Sequence, residues 1–222
     1  MSAGGRITDD ISALEGIVEV SRETADRLDR FAELLRKWQG ADNLVAAATL
    51  PTMWHRHVAD SAQLVKLFPD ARIWLDLGSG AGFPGLVVAI LLRESAEALV
   101  HLVESNSRKC AFLRQVIRDT EAPAKVHSGR IEAVLGAWSE PVDMISARAL
   151  APLDRLFSLA EPVFAAGARG AFHKGQDFEM EIEETTKSWE CDLVKHKSLT
   201  DERGAILEIR RIARKARPST GF

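Results

Sequence analysis

The chain has little of what marks secreted, membrane or metal-built proteins. Its two cysteines, Cys110 and Cys191, make no disulfide framework and stand at no metal-ligand spacing. They read as free thiols in a reducing compartment, and no metal is expected. The longest apolar stretch, Phe83 to Leu92, is about half a membrane span and reads as a buried helix. Met1 to Asp10 is small and polar, with no apolar signal core. Repeats and low-complexity tracts are missing. So is a charge excess: the net charge of −3 points by itself to no nucleic-acid partner. What remains is a cytoplasmic globular protein without a membrane partner. Its 222 residues, 46% apolar and 27% charged, suffice for one sizeable α/β domain and a smaller extension.

What is present begins with Asp76-Leu77-Gly78-Ser79-Gly80-Ala81-Gly82-Phe83-Pro84-Gly85, set between the apolar runs Ile73–Leu75 and Leu86–Leu92. The order predicts buried strand, glycine loop, helix. Gly78, Gly80 and Gly82 let backbone approach a ligand with no Cβ in the way. The helix would point free N–H groups and its positive dipole end at the occupant. A second apolar run, Ala98 to Val103, ends in Glu104, an acid suited to a ribose diol. Phe83 stands where a dinucleotide fingerprint wants glycine. The spacing D-x-G-x-G-x-G instead resembles the first motif of class I S-adenosylmethionine methyltransferases.

The remaining pattern is alternating. Ser21 to Trp38 predicts a helix capped by Ser21 and stopped by Gly40, and Pro51 to Leu67 predicts a second. From Ile73 onward strands and helices alternate. Strands are expected at Lys125–Ser128, Met144–Ala147 and Gly170–His173, and helices at Ser107–Arg118, Leu153–Phe164 and Phe178–Trp189. Cys191–His196 and Ala205–Ile212 read as a closing antiparallel pair. The expectation is a doubly wound, Rossmann-like sheet with an N-terminal helical extension. It divides into a flexible terminus (1–18), the extension (19–70), the sheet domain (71–212) and a basic tail (213–222).

A series of motifs then resembles one family across most of the chain, the glucose-inhibited division protein B family of bacterial guanine-N7 methyltransferases of small-subunit ribosomal RNA. It comprises Trp38 with Asn43-Leu44, Arg56-His57-Val58-Ala59-Asp60-Ser61, the glycine loop, Glu104 to Lys109, Phe112-Leu113-Arg114, Gly129 to Glu132, Ser146 to Ala149, and Lys174-Gly175. Asp42 departs from it, where an aromatic residue is usual. The resemblance implies that Gly78 and Phe83 touch the methionine and nucleoside parts of S-adenosylmethionine. It implies that Ile131 and Glu132 meet the adenine, that Glu104 meets the ribose, and that Arg148 lies beside cofactor and incoming base. That arginine is the candidate positioning residue; a salt bridge to a nearby acid is the alternative reading.

The chemistry can be read from missing devices as well. After the fourth strand stands Ser146-Ala147-Arg148-Ala149, not the Asn/Asp-Pro-Pro-aromatic motif used on exocyclic amines, and no cysteine nucleophile lies there. Guanine N7 carries an unprotonated in-plane lone pair and needs neither, so no proton-transfer residue is expected. His57, Lys109, Arg130 and Lys174 are candidates for the RNA side, with Arg108, Arg114 and the basic run Arg210 to Arg217. A noncatalytic RNA-binding assembly factor of the same fold is the competing reading. Nothing demands more than a monomer.

Overall fold

The computed structural model describes residues 9–216. The first helix, α1 (Arg22–Asp42), begins where Ser21 accepts the Thr24 amide. It runs past Gly40, which was expected to stop it. The terminator is Asn43 in left-handed conformation, its amide on the Gln39 carbonyl. Gln39 explains the overrun: its side chain bonds both the amide and the carbonyl of Val45, fixing the exit two residues beyond Gly40's reach. Asp42, the residue out of keeping with the family pattern, pairs with Arg108 at 3.1 Å.

The second expected helix is three pieces. A 3-10 stretch at Ala47–Thr52 holds Pro51, and a π-helical stretch, Trp54–Ala59, leads into α2 (Asp60–Leu67). A π-turn rotates the side chains that follow it relative to a regular helix. Here the wide turn carries His57 and ends at Asp60. Residues 9–18, expected as part of a flexible terminus, are docked on the extension. Asp9 accepts the amides of Trp54 and His55, and Leu14 is buried in the 3-10 turn Ile11–Leu14. Residues 1–8 of that expected terminus lie outside the described residues.

The sheet domain alternates as β1 (Ile73–Leu77), α3 (Gly85–Leu91), β2 (Leu99–Glu104), α4 (Ser107–Thr120), β3 (Ala124–Ser128), α5 (Ile131–Leu135), β4 (Met144–Arg148), α6 (Leu153–Ala165), β5 (Arg169–Lys174), α7 (Phe178–Ser188), β6 (Trp189–Lys197) and β7 (Ala205–Arg214). The order across the sheet is β3-β2-β1-β4-β5-β7-β6, with β1 to β5 parallel and β7 antiparallel to both its neighbours. One turn of helix, α5, is too short to show periodicity and had no forecast. The chain leaves β1 toward β2 on one side and returns to β4 on the other. Ligands of open α/β sheets gather at that switch point, beyond the carboxyl ends of the strands.

Two apolar layers cover the sheet. Leu28, Phe31, Leu35 and Trp54 of the extension join Leu86, Ile90 and Phe112 of α3 and α4 on one face. Leu156, Phe157, Val163 and Trp189 cover the other. The extension is thus built into the core, as its apolar face requires. The basic run is largely strand. Within β7, Arg210 bonds Glu208 at 2.8 Å, while Arg214 pairs with Glu161 and lies 4.3 Å over Trp189. The expected tail beyond Ala216 lies outside the described residues.

Candidate active site

Two cavities open at the switch point. The first, of about 400 Å³, lies past β1, β2 and β3 and is walled by Gly78, Gly80, Glu104, Ile131 and Glu132. Gly78 has φ +66°, and a Cβ there would stand 2.6 Å from Leu150 Cδ1. The loop's amides are partly spent within the chain. Gly80 donates to Glu104 Oε2 at 2.9 Å, and Asn106 donates to Oε1 at 2.7 Å. A carboxylate oxygen has two lone pairs, so Glu104 is fixed in place with acceptor capacity left for a diol. Glu132 is paired with Arg155 at the rim. Lys109 and Arg130, expected on the RNA side, line this cavity as well. Acceptors for ribose hydroxyls, the apolar Ile131 for a purine face and cations for a carboxylate together fit an S-adenosyl amino acid.

Gly82 and Phe83 stand elsewhere. At Gly82, φ is +91° and a Cβ would meet Leu86 Cδ1 at 2.5 Å, so this glycine allows α3 to pack. Phe83 is buried, 5.1 Å from the Phe31 ring and stacked on His57 at 5.0 Å. Neither lines the cavity beside Gly78. The start of α3 also faces a group of the chain itself. Asp76, wholly buried beside the Gly85 amide, accepts Ser146 Oγ at 2.7 Å, and burial pushes its carboxyl up to about 6.

The second cavity, of about 610 Å³, lies past β4 and β5 under the extension. Arg148 organises it. Its guanidinium donates to the Arg56 carbonyl and to Asp60 Oδ2, both at 3.0 Å, and to His57 Nδ1 at 2.6 Å, and it lies 5.4 Å over Phe83. The acid of the alternative reading exists, and it is Asp60. Arg148 belongs to this cavity, not to the one holding Glu104. An arginine only donates, so His57 Nδ1 is the accepting nitrogen. The His57 proton therefore sits on Nε2, 2.8 Å from Thr49 Oγ1. Burial, then Arg148, pushes the His57 imidazole down to about 4. It is neutral at pH 7. Burial pushes the Asp60 carboxyl up, but His173, Arg148 and the Thr200 hydroxyl hold it below its ordinary value. His173 Nε2 bonds the Asp60 carbonyl at 2.9 Å, and its buried Nδ1 has no partner among the described residues. Lys174 Nζ, which also lines this cavity, holds the Ala151 carbonyl and Glu181 Oε2.

Ala149, Leu150 and Ala151 line both cavities. Ala149 has φ +52°, a conformation an L-residue adopts only where its surroundings impose it. The segment after Arg148 is the partition between two sites.

One further polar group lies on the sheet. His101 Nδ1 and His127 Nε2 are 2.9 Å apart, and Glu140 lies 3.4 Å from His101 Nε2 while bonding Lys125. These three could face one ion, yet each is already partnered within the chain. Burial pushes His101 down to about 4. The folded state thus resists protonating His57 and His101, both ordinarily near 6.5. Their stabilisation is complete above pH 6.5 and disappears as pH falls through 4. Asp76 acts oppositely, losing its contribution as pH rises through about 6. Burial lowers His127 and His173 as well and raises Asp29, so with four histidines against two carboxyls the melting temperature should fall between pH 6.5 and 4. Thermal melts at pH 7 and pH 5 test this, and His101→Asn should flatten the slope. Equal midpoints at the two pH values would count against it.

Comparison with known proteins decides the family. Residues 24–209 match the family described as rRNA small subunit methyltransferase G (GidB). The chain belongs to this family. A ribosomal RNA small subunit methyltransferase G from Bradyrhizobium sp. strain BTAi1 is 50% identical over 203 residues, 91% of each chain. Another, from Parvibaculum lavamentivorans, is 51% identical over 94% of this chain and 92% of its own. Among solved structures, an O-methyltransferase from Bacillus cereus in complex with SAH has a TM-score of 0.56 at 15% identity, covering 91% of this chain and 96% of its own. That likeness speaks for the fold, the Rossmann-like class I methyltransferase sheet.

Sequence reasoning overlooked Asp60 as a site residue, along with His173 and Thr200. Asp60 had one signal, its place one turn after His57. His173 directly precedes Lys174. Thr200 had none, because only the fold brings the loop after β6 to α2.

Proposed function

We propose that the protein transfers a methyl group to N7 of a guanine in small-subunit ribosomal RNA. S-adenosylmethionine supplies an electrophilic methyl on a sulfonium. Membership of the family supports the enzyme class, the cofactor and the ribosomal RNA substrate. One observation carries the finer reading: two cavities of different chemistry meet at a single thin wall, Ala149 to Ala151, at the switch point.

In this reading Gly78, Gly80, Glu104, Ile131 and Glu132 hold the cofactor. The guanine enters beside Arg148, Asp60 and Lys174. Lys109 and Arg130, at the mouth of the cofactor cavity, meet the RNA backbone or the amino-acid end of the cofactor. N7 attacks with its own lone pair, so no residue takes a proton. The neutral His57 fits that: it fixes Arg148 and has no spare lone pair facing the base. Positive charge moves onto the guanine as the methyl transfers, and the anionic Asp60 offsets it. Alignment of the two reactants supplies the rate. Residues 19–70 then form one wall of the base cavity, and a single chain holds the complete site.

Mass mapping of ribosomal RNA tests the activity. A strain lacking this gene should lose one N7-methylguanine in small-subunit RNA, and the restored gene should return it. An identical set of marks in both strains would favour the noncatalytic assembly factor.

A further inference from the structure

The loop joining β6 to β7 ties Ser198, Thr200 and Asp201 to the fold and leaves Leu199, Glu202 and Arg203 exposed. Ser198 is buried, and its Oγ accepts the amides of Thr200 and Asp201, each at 3.2 Å. The Leu199 amide donates to Gln63 Oε1 at 3.0 Å, Thr200 Oγ1 donates to Asp60 Oδ1 at 2.8 Å, and Asp201 pairs with Arg56 at 3.4 Å. Held this way, the turn cannot fold Leu199 back onto the core, and its side chain stays 54% exposed. Among the described residues the other large hydrophobic left in water is Met180, 65% exposed.

A lone exposed leucine usually signifies nothing. Position makes this pair informative. Leu199 stands between Ser198 and Thr200, and Met180 immediately precedes Glu181; all three neighbours line the cavity assigned above to the guanine. Each exposed apolar residue is therefore next in sequence to the cavity lining, Leu199 on a hydrogen-bonded turn and Met180 on the first turn of α7. Bases in folded RNA are stacked, and a base must leave the stack to enter a pocket. Apolar side chains inserted at a base step fill the space and replace the lost stacking.

We propose that Leu199, seconded by Met180, is a wedge that enters the RNA stack beside the target guanine and holds it out. This rests on the reading of the neighbouring cavity as the base site. Neither residue touches the cofactor cavity or the reacting atoms, so both are positioning residues. Their contribution should appear only where there is stacking to oppose.

The test is steady-state methylation of small ribosomal subunits from a strain lacking this gene, and of a short single-stranded RNA carrying the same guanine. The double variant Leu199→Ser/Met180→Ser should lose about tenfold in kcat/KM on subunits, the scale of one stacking contact. On the single strand it should stay within about twofold of wild type if stacking is the cause. Leu199→Met should recover most of the loss. Affinity for S-adenosylmethionine and the melting temperature should be those of wild type. Full activity of the double variant on subunits overturns the proposal, as does an equal loss on both substrates. If the wild-type protein methylates neither substrate, the proposed function fails and takes the wedge with it, an outcome recognisable because the unaltered enzyme is inactive.

Discussion

Arg148→Met should reduce methyl transfer by roughly a hundredfold or more, the scale of losing one preorganised charged donor, while S-adenosylmethionine affinity stays near wild type. The split follows from placement. The guanidinium ties the Arg56 carbonyl, His57 and Asp60 into one unit at the cavity proposed for the base and does not line the cavity holding Glu104. Stability should fall as well. Removing the cation strands Asp60, whose side chain is only 15% exposed, and breaking such a pair costs about 3–5 kcal/mol. Adding Asp60→Asn removes the stranded charge and should restore much of the melting temperature without restoring turnover. Calorimetry with the cofactor, thermal melts and single-turnover methylation separate the three effects. A large loss of cofactor affinity in Arg148→Met would return the arginine to the methionine carboxylate and undo the assignment of the cavities.

Gly78→Val should weaken S-adenosylmethionine binding at least a hundredfold. Its φ of +66° is strained for any L-residue and more so for a β-branched one. The added atoms would also collide with Leu150 on the partition, so they would either displace that wall or fill the cavity. Gly40→Ala is the matching control. It lies inside α1 with nothing within 4 Å of the new Cβ, and exchanging an exposed helix glycine for alanine stabilises by about 0.5–1 kcal/mol. Isothermal titration on both variants should show affinity lost in the first and unchanged in the second. Wild-type affinity in Gly78→Val would mean that the cofactor lies elsewhere.

The sheet was legible because its strands are short apolar runs separated by helical periodicity, and each expected strand appears within three residues of its place. The glycine loop and Glu104 were legible because backbone approach and a strand-end acid leave marks in one dimension. The roles of the individual glycines were not. Gly78 faces a cavity whereas Gly82 makes room for Leu86, and that difference depends on contacts, not spacing. The surroundings of Phe83 were hidden for a similar reason: its ring turns toward Phe31 and His57 of the extension. The cavity beside Arg148 was the least visible part. It is assembled from the π-turn, the end of β4, the end of β5 and the loop after β6, and no local pattern announces that these four meet. His57 and Lys174 were named without the residue that joins their surroundings, Asp60. The basic run at the end of the chain read as a cation cluster or a solvated tail, and two of its arginines form ion pairs at the surface, with Glu208 and Glu161.

Glu104 is already clasped by two main-chain amides before anything arrives. Such a preset grip needs no rearrangement to accept its guest, which favours quick capture. In the proposed reading it addresses only the sugar, a portion that alkylation leaves untouched, so it is as welcoming to the spent by-product as to the fresh reagent.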